Sequence, residues 1–122
     1  MPKLLIVDDE EDIREFAKNF FQKRDIDVFT AADGQKALDL IKLEKPDLVL
    51  LDVHMEDMTG IEVLKTLREG NNQIKAIMVT GIEDEAVVRE ANNYGALGYI
   101  HKPLILDELK EVVLKELDLN KT

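Results

Sequence analysis

The sequence predicts an α/β domain, a doubly wound five-stranded parallel sheet with helices on both faces, and three observations carry that expectation. Short runs of β-branched residues and leucine alternate with segments of helical spacing five times along the 122 residues. Two of the runs, Leu4 to Val7 and Leu48 to Leu51, are continuously apolar, as strands covered on both faces should be. Breaker-rich stretches, "EKPD", "REGNNQ" and "NYGALG", stand before the third, fourth and fifth runs and keep the connections short.

The first strand is read as Lys3 to Val7. After it, Ile13, Phe16, Ala17, Phe20 and Phe21 recur at i, i+3, i+4, i+7 and i+8 and draw one apolar stripe along a helix. Glu10, Glu11 and Asp12 suit the start of that helix, where the dipole favours negative charge. The second strand, Asp27 to Thr30 in "DIDVFT", alternates in polarity and suits a sheet edge, and Ala37, Leu38 and Ile41 mark the next helix. Leu48 to Leu51 form the third strand, followed by the helical positions Ile61, Leu64 and Leu67. Ala76 to Val79 form the fourth, followed by Ala86, Val87, Ala91 and Tyr94; Leu97 to Ile100 form the fifth, followed by Leu109, Val112, Val113 and Leu117. Two fully apolar strands and one alternating strand favour the sheet order 2-1-3-4-5. A single domain over residues 1–122 accounts for the length, without linker or low-complexity tract.

The charge balance narrows the function. Sixteen Lys and Arg against 26 Asp and Glu give a net charge of −10, which disfavours a direct grip on nucleic acid and favours cations or basic partner surfaces. With no cysteine there is neither a disulfide framework nor a thiolate metal site, and the cytoplasm is the expected compartment. The apolar run at the start is too short for a signal peptide core or a membrane span, so no membrane attachment is expected.

In an open doubly wound sheet, ligands bind beyond the carboxyl ends of the strands, where the strand order reverses. The first strand runs into Asp8 and Asp9, the third into Asp52, the fourth into Thr80 and Gly81, and the fifth into His101, Lys102 and Pro103. Three aspartates gathered at one edge repel one another unless a cation sits among them. A hard divalent ion such as Mg²⁺ takes such oxygens, keeps waters and completes its shell from a phosphate. A carboxylate, a divalent metal, a lysine and a hydroxyl are the parts needed to move a phosphoryl group onto an aspartate. Gly81 is expected to let the backbone approach the transferred oxygens.

Four segments fall in order at these strand ends: "IVDDE" at 6–10, "PDLVLLDVHMEDMTGIEVL" at 46–64, "IMVTG" at 77–81 and "GYIHKP" at 98–103. Together they resemble the receiver domain of two-component response regulators, of the stand-alone kind found among chemotaxis regulators, over essentially the whole chain. The resemblance implies a flavodoxin-like (βα)5 fold and a signalling role rather than an enzyme's, the chain catalysing only its own phosphorylation and dephosphorylation. It implies Asp52 as phosphoacceptor from a histidine kinase or a histidine phosphotransfer protein. Mg²⁺ would sit on Asp9, Asp52 and the backbone carbonyl of His54, with Asp8 helping through water. Thr80 and Lys102 would bind the phosphoryl oxygens, Tyr99 would be the switch aromatic that follows Thr80, and the Lys102–Pro103 peptide bond would be cis. His54 and Ile82 would hold positions that tune dephosphorylation. The output would be a protein contact around the fourth and fifth helices, made by a monomer or a phosphorylation-dependent dimer, either to a downstream target or as a relay step. No effector domain is expected after "KELDLNKT".

One departure bears on the site. The family commonly reads Met-Pro after the phosphoacceptor segment, whereas Met55 is followed here by Glu56, so a looser loop or weaker metal binding is expected. Other readings compete. A haloacid-dehalogenase-like phosphohydrolase uses similar parts but needs an aspartate two residues after the nucleophile, where this chain has His54. A flavin module wants a hydroxyl- and glycine-rich loop after the first strand, where carboxylates would repel its phosphate. A phosphorylation-independent scaffold is disfavoured by the complete Asp, Thr and Lys set. Taken singly, Asp8 and Asp9 could simply start a helix and Tyr99 could simply pack; their joint placement at strand ends is what points to function.

Overall fold

In the computed structural model, which describes residues 1–81 and 85–117, β1 (Lys3–Val7) lies inside a five-stranded sheet with β2 (Asp27–Ala31) on one side and β3 (Leu48–Asp52) on the other. β4 (Lys75–Thr80) and β5 (Gly98–His101) follow, all pairs are parallel, and the order is β2-β1-β3-β4-β5, as the sequence predicts. Helices α1 (Glu11–Gln22), α2 (Gly34–Glu44), α3 (Gly60–Glu69), α4 (Glu85–Asn93) and α5 (Leu106–Glu116) alternate with the strands.

Strand side chains point to alternate faces, so each central strand divides its residues between two cores. Leu5, Val7, Val49 and Leu51 pack with Ala37 and Ile41 of α2, Ile61 and Leu64 of α3 and Ala91 of α4. Leu4, Ile6, Leu48 and Leu50 pack on the opposite face with Ala17 and Phe21 of α1 and Leu109 and Val113 of α5. Complete burial of one such leucine contributes about 2 kcal/mol.

The stripe on α1 is narrower than its spacing predicts. Ala17 and Phe21 lie against the sheet and Ile13 and Phe20 flank them, but Phe16 is 47 % exposed, because it precedes the contact line by one residue and rotates away from it. The fifth strand begins at Gly98 rather than Leu97: Leu97 donates its N–H to the Ala76 carbonyl yet stays half-exposed. β3, β4 and β5 each run one residue beyond the apolar run, so Asp52, Thr80 and His101 belong to the sheet itself.

Side-chain caps fix the starts of α2 and α3. Asp33 caps α2 by accepting the Lys36 N–H at 2.8 Å. Thr59 and Glu62 form a reciprocal capping box at α3, the Thr-x-x-Glu pattern readable in "TGIE". α1 starts at Glu11 with Glu11 and Asp12 in its first turn, as the charge pattern predicts. Among the described residues, no helix is long and apolar enough to cross a membrane.

Candidate functional site

Asp8 follows β1 directly and Asp52 closes β3, and since β1 and β3 are neighbours in register their carboxyl ends meet. Asp8, Asp52 and Thr80 are the buried polar residues of the described chain. Asp9 is exposed beside them, and carboxylate oxygens of Asp8, Asp9 and Asp52 all lie within 4.8 Å of one another. Lys102 reaches in from the end of β5, its Nζ 3.2 Å from Asp8 Oδ2 and 3.2 Å from Asp52 Oδ2.

Asp8 has two engagements. Its Oδ1 accepts the Glu10 N–H at 2.9 Å, which shapes the turn into α1, while Oδ2 faces Lys102. Arg14 Nη1 donates to the Asp8 carbonyl at 2.8 Å and steadies the same turn from inside the helix. One Asp8 oxygen thus shapes the entry to α1, whose N-cap Glu10 receives no side-chain cap, while the other faces into the carboxylate cluster. Asp52 Oδ1 accepts the His54 N–H at 3.2 Å, which curls the chain beyond β3 back over the carboxylate.

Burial raises the Asp52 carboxyl above its ordinary value, the Asp8 charge adds to the rise, and the Lys102 ammonium and the His54 N–H oppose it. For Lys102, burial acts to lower the ammonium, but Asp8 and Asp52 outweigh it and the net shift is upward. One ammonium shared between two buried carboxylates, with a third carboxylate alongside, leaves surplus negative charge. A divalent cation fits that donor set: hard oxygens, close together, partly open to water at Asp9.

Two glycines next to the site differ. A Cβ on Gly60 would collide with the backbone carbonyl of Asp52, so α3 can start this close to the end of β3 only with glycine there. At Gly81 the nearest atom to such a Cβ is Lys102 Cβ at 3.9 Å, so an alanine methyl has room beside the protein's own atoms. The freedom of Gly81, expected from the sequence, is thus not imposed by packing.

Tyr99 is paired with Met78, two residues before the pairing of His101 with Thr80, so Tyr99 and Thr80 share a face of the sheet. The Tyr99 hydroxyl donates to the Val88 carbonyl of α4 at 2.7 Å, and burial raises the phenol. The Lys102–Pro103 peptide bond is cis. His54 is exposed, and Ile82 lies outside the described residues. Sequence reasoning missed Asp57, whose carboxylate accepts the Gly34 N–H at 2.9 Å and the Gln35 N–H at 3.1 Å; those bonds, the Gly34 one above all, hold its carboxyl below the usual range.

Comparison with known proteins agrees with this geometry. The family model described as response regulator receiver domain matches residues 4–114. The chain belongs to that family. The receiver domain is 39 % identical over 117 residues to sporulation initiation phosphotransferase F of Bacillus subtilis, covering 96 % of this chain and 94 % of that one. Several other curated relatives are longer, the receiver domain spanning 25 %, 53 % and 42 % of their lengths. Among solved structures, it superposes on the chemotaxis protein CheY4 of Vibrio cholerae with a TM-score of 0.88 at 31 % identity, covering 94 % of this chain and 98 % of that one. The response regulator TrrA of Thermotoga maritima, solved in complex with Mg²⁺ and BeF, gives a TM-score of 0.83 at 34 % identity, covering 95 % of this chain and 99 % of that one. The chain is therefore a signalling domain of two-component systems rather than a conventional enzyme.

Proposed function

We propose that Asp52 accepts a phosphoryl group from a phosphohistidine, on a histidine kinase or a histidine phosphotransfer protein, and that the receiver domain supplies the catalysis for gaining and losing it. The observation that carries this reading is the Lys102 ammonium held 3.2 Å from both Asp8 and Asp52 at the strand ends. In the transfer, an Asp52 oxygen attacks phosphorus, the new O–P bond forms as the P–N bond breaks, and the imidazole leaves with the electron pair. Lys102 and the Thr80 hydroxyl would then bind the oxygens of the phosphoryl group as charge develops on them.

Asp8, Asp9, Asp52 and the His54 carbonyl are the groups that would hold Mg²⁺. When bound, the ion would neutralise the surplus carboxylate charge and that of the transferring group. The chain's own part is to aim the acceptor carboxylate and to oppose, through Lys102 and the His54 N–H, the rise that burial imposes on it. The crystallised complex of the TrrA relative with Mg²⁺ and BeF supports the same ion here.

The response would pass through the face that Thr80 and Tyr99 share. A phosphoryl group drawing in Thr80 biases the position of Tyr99, and with it the hydrogen bond from Tyr99 to the Val88 carbonyl of α4. The surface of α4, β5 and α5 would then meet a downstream protein or a second copy of the chain. The donor would dock beside α1, where exposed Phe16 joins Ile13, Pro103 and Leu104 in a groove that opens onto Gly81 and Lys102. The cytoplasm, where such kinases present their phosphohistidines, is the compartment this reading requires.

Intact mass after incubation with acetyl phosphate, with and without Mg²⁺, tests the proposal on the wild type and on Asp52→Asn. A single Mg²⁺-dependent phosphoryl adduct, absent from the variant, is the expected result. Turnover of the donor without any adduct would support a hydrolase instead, and a folded, Mg²⁺-binding chain that never acquires an adduct would support a scaffold.

A further inference from the structure

The segment from Val53 to Thr59 joins β3 to α3 and carries His54 past the aspartates. Its ends are fixed by the backbone: Val53 donates to the Val79 carbonyl of β4 at 2.9 Å, and Gly60 donates to the Val53 carbonyl at 2.9 Å. The Thr59–Glu62 capping box secures the exit into α3. No proline stiffens the segment between these points, and Glu56 is exposed.

The middle is held from outside, by α2. The first N–H groups of a helix lack partners within it and donate to whatever anion is offered. Asp33, the cap on α2's own chain, takes the Lys36 N–H, and the two amides it leaves, Gly34 and Gln35, go to the two oxygens of Asp57. The Met58 side chain lies where a Cβ on Gly34 would stand, so the fit of the loop on the helix requires glycine at the first helical position. A charge-assisted pair of bonds and a close packing contact thus lock two elements that are distant in sequence.

We propose that Asp57 is a positioning residue for the metal seat: its carboxylate ties the β3–α3 loop, and with it the His54 carbonyl, to the start of α2. The inference rests on the reading of Asp8, Asp9, Asp52 and His54 as the Mg²⁺ site. The tether takes the place of a rigid turn in the loop that Glu56 leaves without one. It acts before the ion arrives, so that binding does not have to order the loop.

The experiment compares wild type with Asp57→Ala, Asp57→Asn and Asp33→Ala. Hydrogen exchange of the metal-free proteins reads the tether, calorimetric titration with MgCl₂ reads the seat, and acetyl phosphate labelling at low and saturating Mg²⁺ separates affinity from reactivity. In Asp57→Ala the Gly34 and Gln35 amides should exchange faster and Mg²⁺ should bind about tenfold more weakly. Labelling should be slow at low Mg²⁺ and recover at saturation. Asp57→Asn, which keeps one acceptor oxygen, should fall between the two. Asp33→Ala loosens the same helix end without touching the loop and should bind Mg²⁺ as wild type does. Unchanged affinity in Asp57→Ala, or an equal loss in Asp33→Ala, would overturn the inference while leaving the metal site intact. A wild-type protein that bound no Mg²⁺ would overturn the metal site itself, and the inference with it.

Discussion

At the edge where the strands begin, Lys3 Nζ lies 3.7 Å from Glu44 Oε1 with both side chains about a third exposed, and it also donates to the Glu44 carbonyl at 3.0 Å. At the edge where they finish, Lys102 Nζ lies 3.2 Å from Asp8 and Asp52, whose side chains are only 3 % exposed. The first pair consists of one cation, one anion and a helix end, all wetted by solvent. The second places two buried carboxylates on one ammonium, which leaves charge uncompensated where water screens it least. One edge uses charge to finish the fold, while the other holds it in a state that the fold alone does not favour. Charge at the carboxyl edge therefore opposes folding, whereas charge at the opposite edge supports it.

The largest difference should appear on removing each lysine. Lys102→Ala takes a charged donor from the Asp52 carboxylate, and the rate of labelling by acetyl phosphate should fall about 100-fold or more at saturating Mg²⁺. Initial rates by intact mass check this, and a loss of only a few-fold would remove Lys102 from the transfer step.

Glycines separate the edges next. Gly60 sits under the Asp52 carbonyl, so Gly60→Ala must push α3 away from β3, at a cost of about 2 kcal/mol in urea unfolding. Gly98 opens β5 at the opposite edge, where a Cβ would meet Ile77 Cδ1 at an ordinary 3.7 Å, and Gly98→Ala should change stability by about 0.5 kcal/mol or less. Equal costs would show that close packing is not confined to the site.

Asp52 sharpens the contrast through pH. Its carboxyl is raised in the folded chain by burial and by Asp8, so folding disfavours its ionised form. The sign follows: above the folded value the charge reduces stability, and the penalty is relieved as pH falls toward the unfolded value of 3.8, where both states bind the proton. In chelator-treated protein, Asp52→Asn should melt higher than wild type at pH 7, and the gap should close at pH 4. Thermal melts at the two pH values check this; a variant less stable than wild type at pH 7 would mean that the pairing with Lys102 outweighs burial.

The strand runs and helical periods were legible in the sequence because a buried strand and an amphipathic helix leave periodic marks within a few residues. The gathering of Asp8, Asp52, Thr80 and Lys102 was legible because the sheet order decides which strand ends meet. What escaped depends on the third dimension. Phe16 obeys the helical period of α1 yet stands outside the contact line, since spacing says nothing of how wide a stripe the sheet covers. Asp57 reads as one more acid in an acidic chain, and its partners Gly34 and Gln35 lie on another element, so no local pattern joins them. The steric demand at Gly60 likewise comes from a carbonyl in the preceding strand.

The smallest effect belongs to Lys3. Its ammonium pairs with Glu44 at an exposed surface and sits at the last carbonyl of α2, where positive charge suits the helix dipole, and it lies 5.9 Å from the Phe29 ring centre. Each of these contacts is weak in water, and an exposed pair contributes about 0.5 kcal/mol, less as salt screens it. Lys3→Gln should therefore lower urea stability by less than about 1 kcal/mol at low ionic strength, with the deficit shrinking in added salt. Labelling of Asp52 and Mg²⁺ affinity should stay at wild-type values, because the change lies at the far end of β1 from Asp8. A Lys3→Gln protein that lost Mg²⁺ affinity would mean that charge at one end of the strands is felt at the other. The rigid sheet between the edges would then be a coupling element and not merely a support for the site.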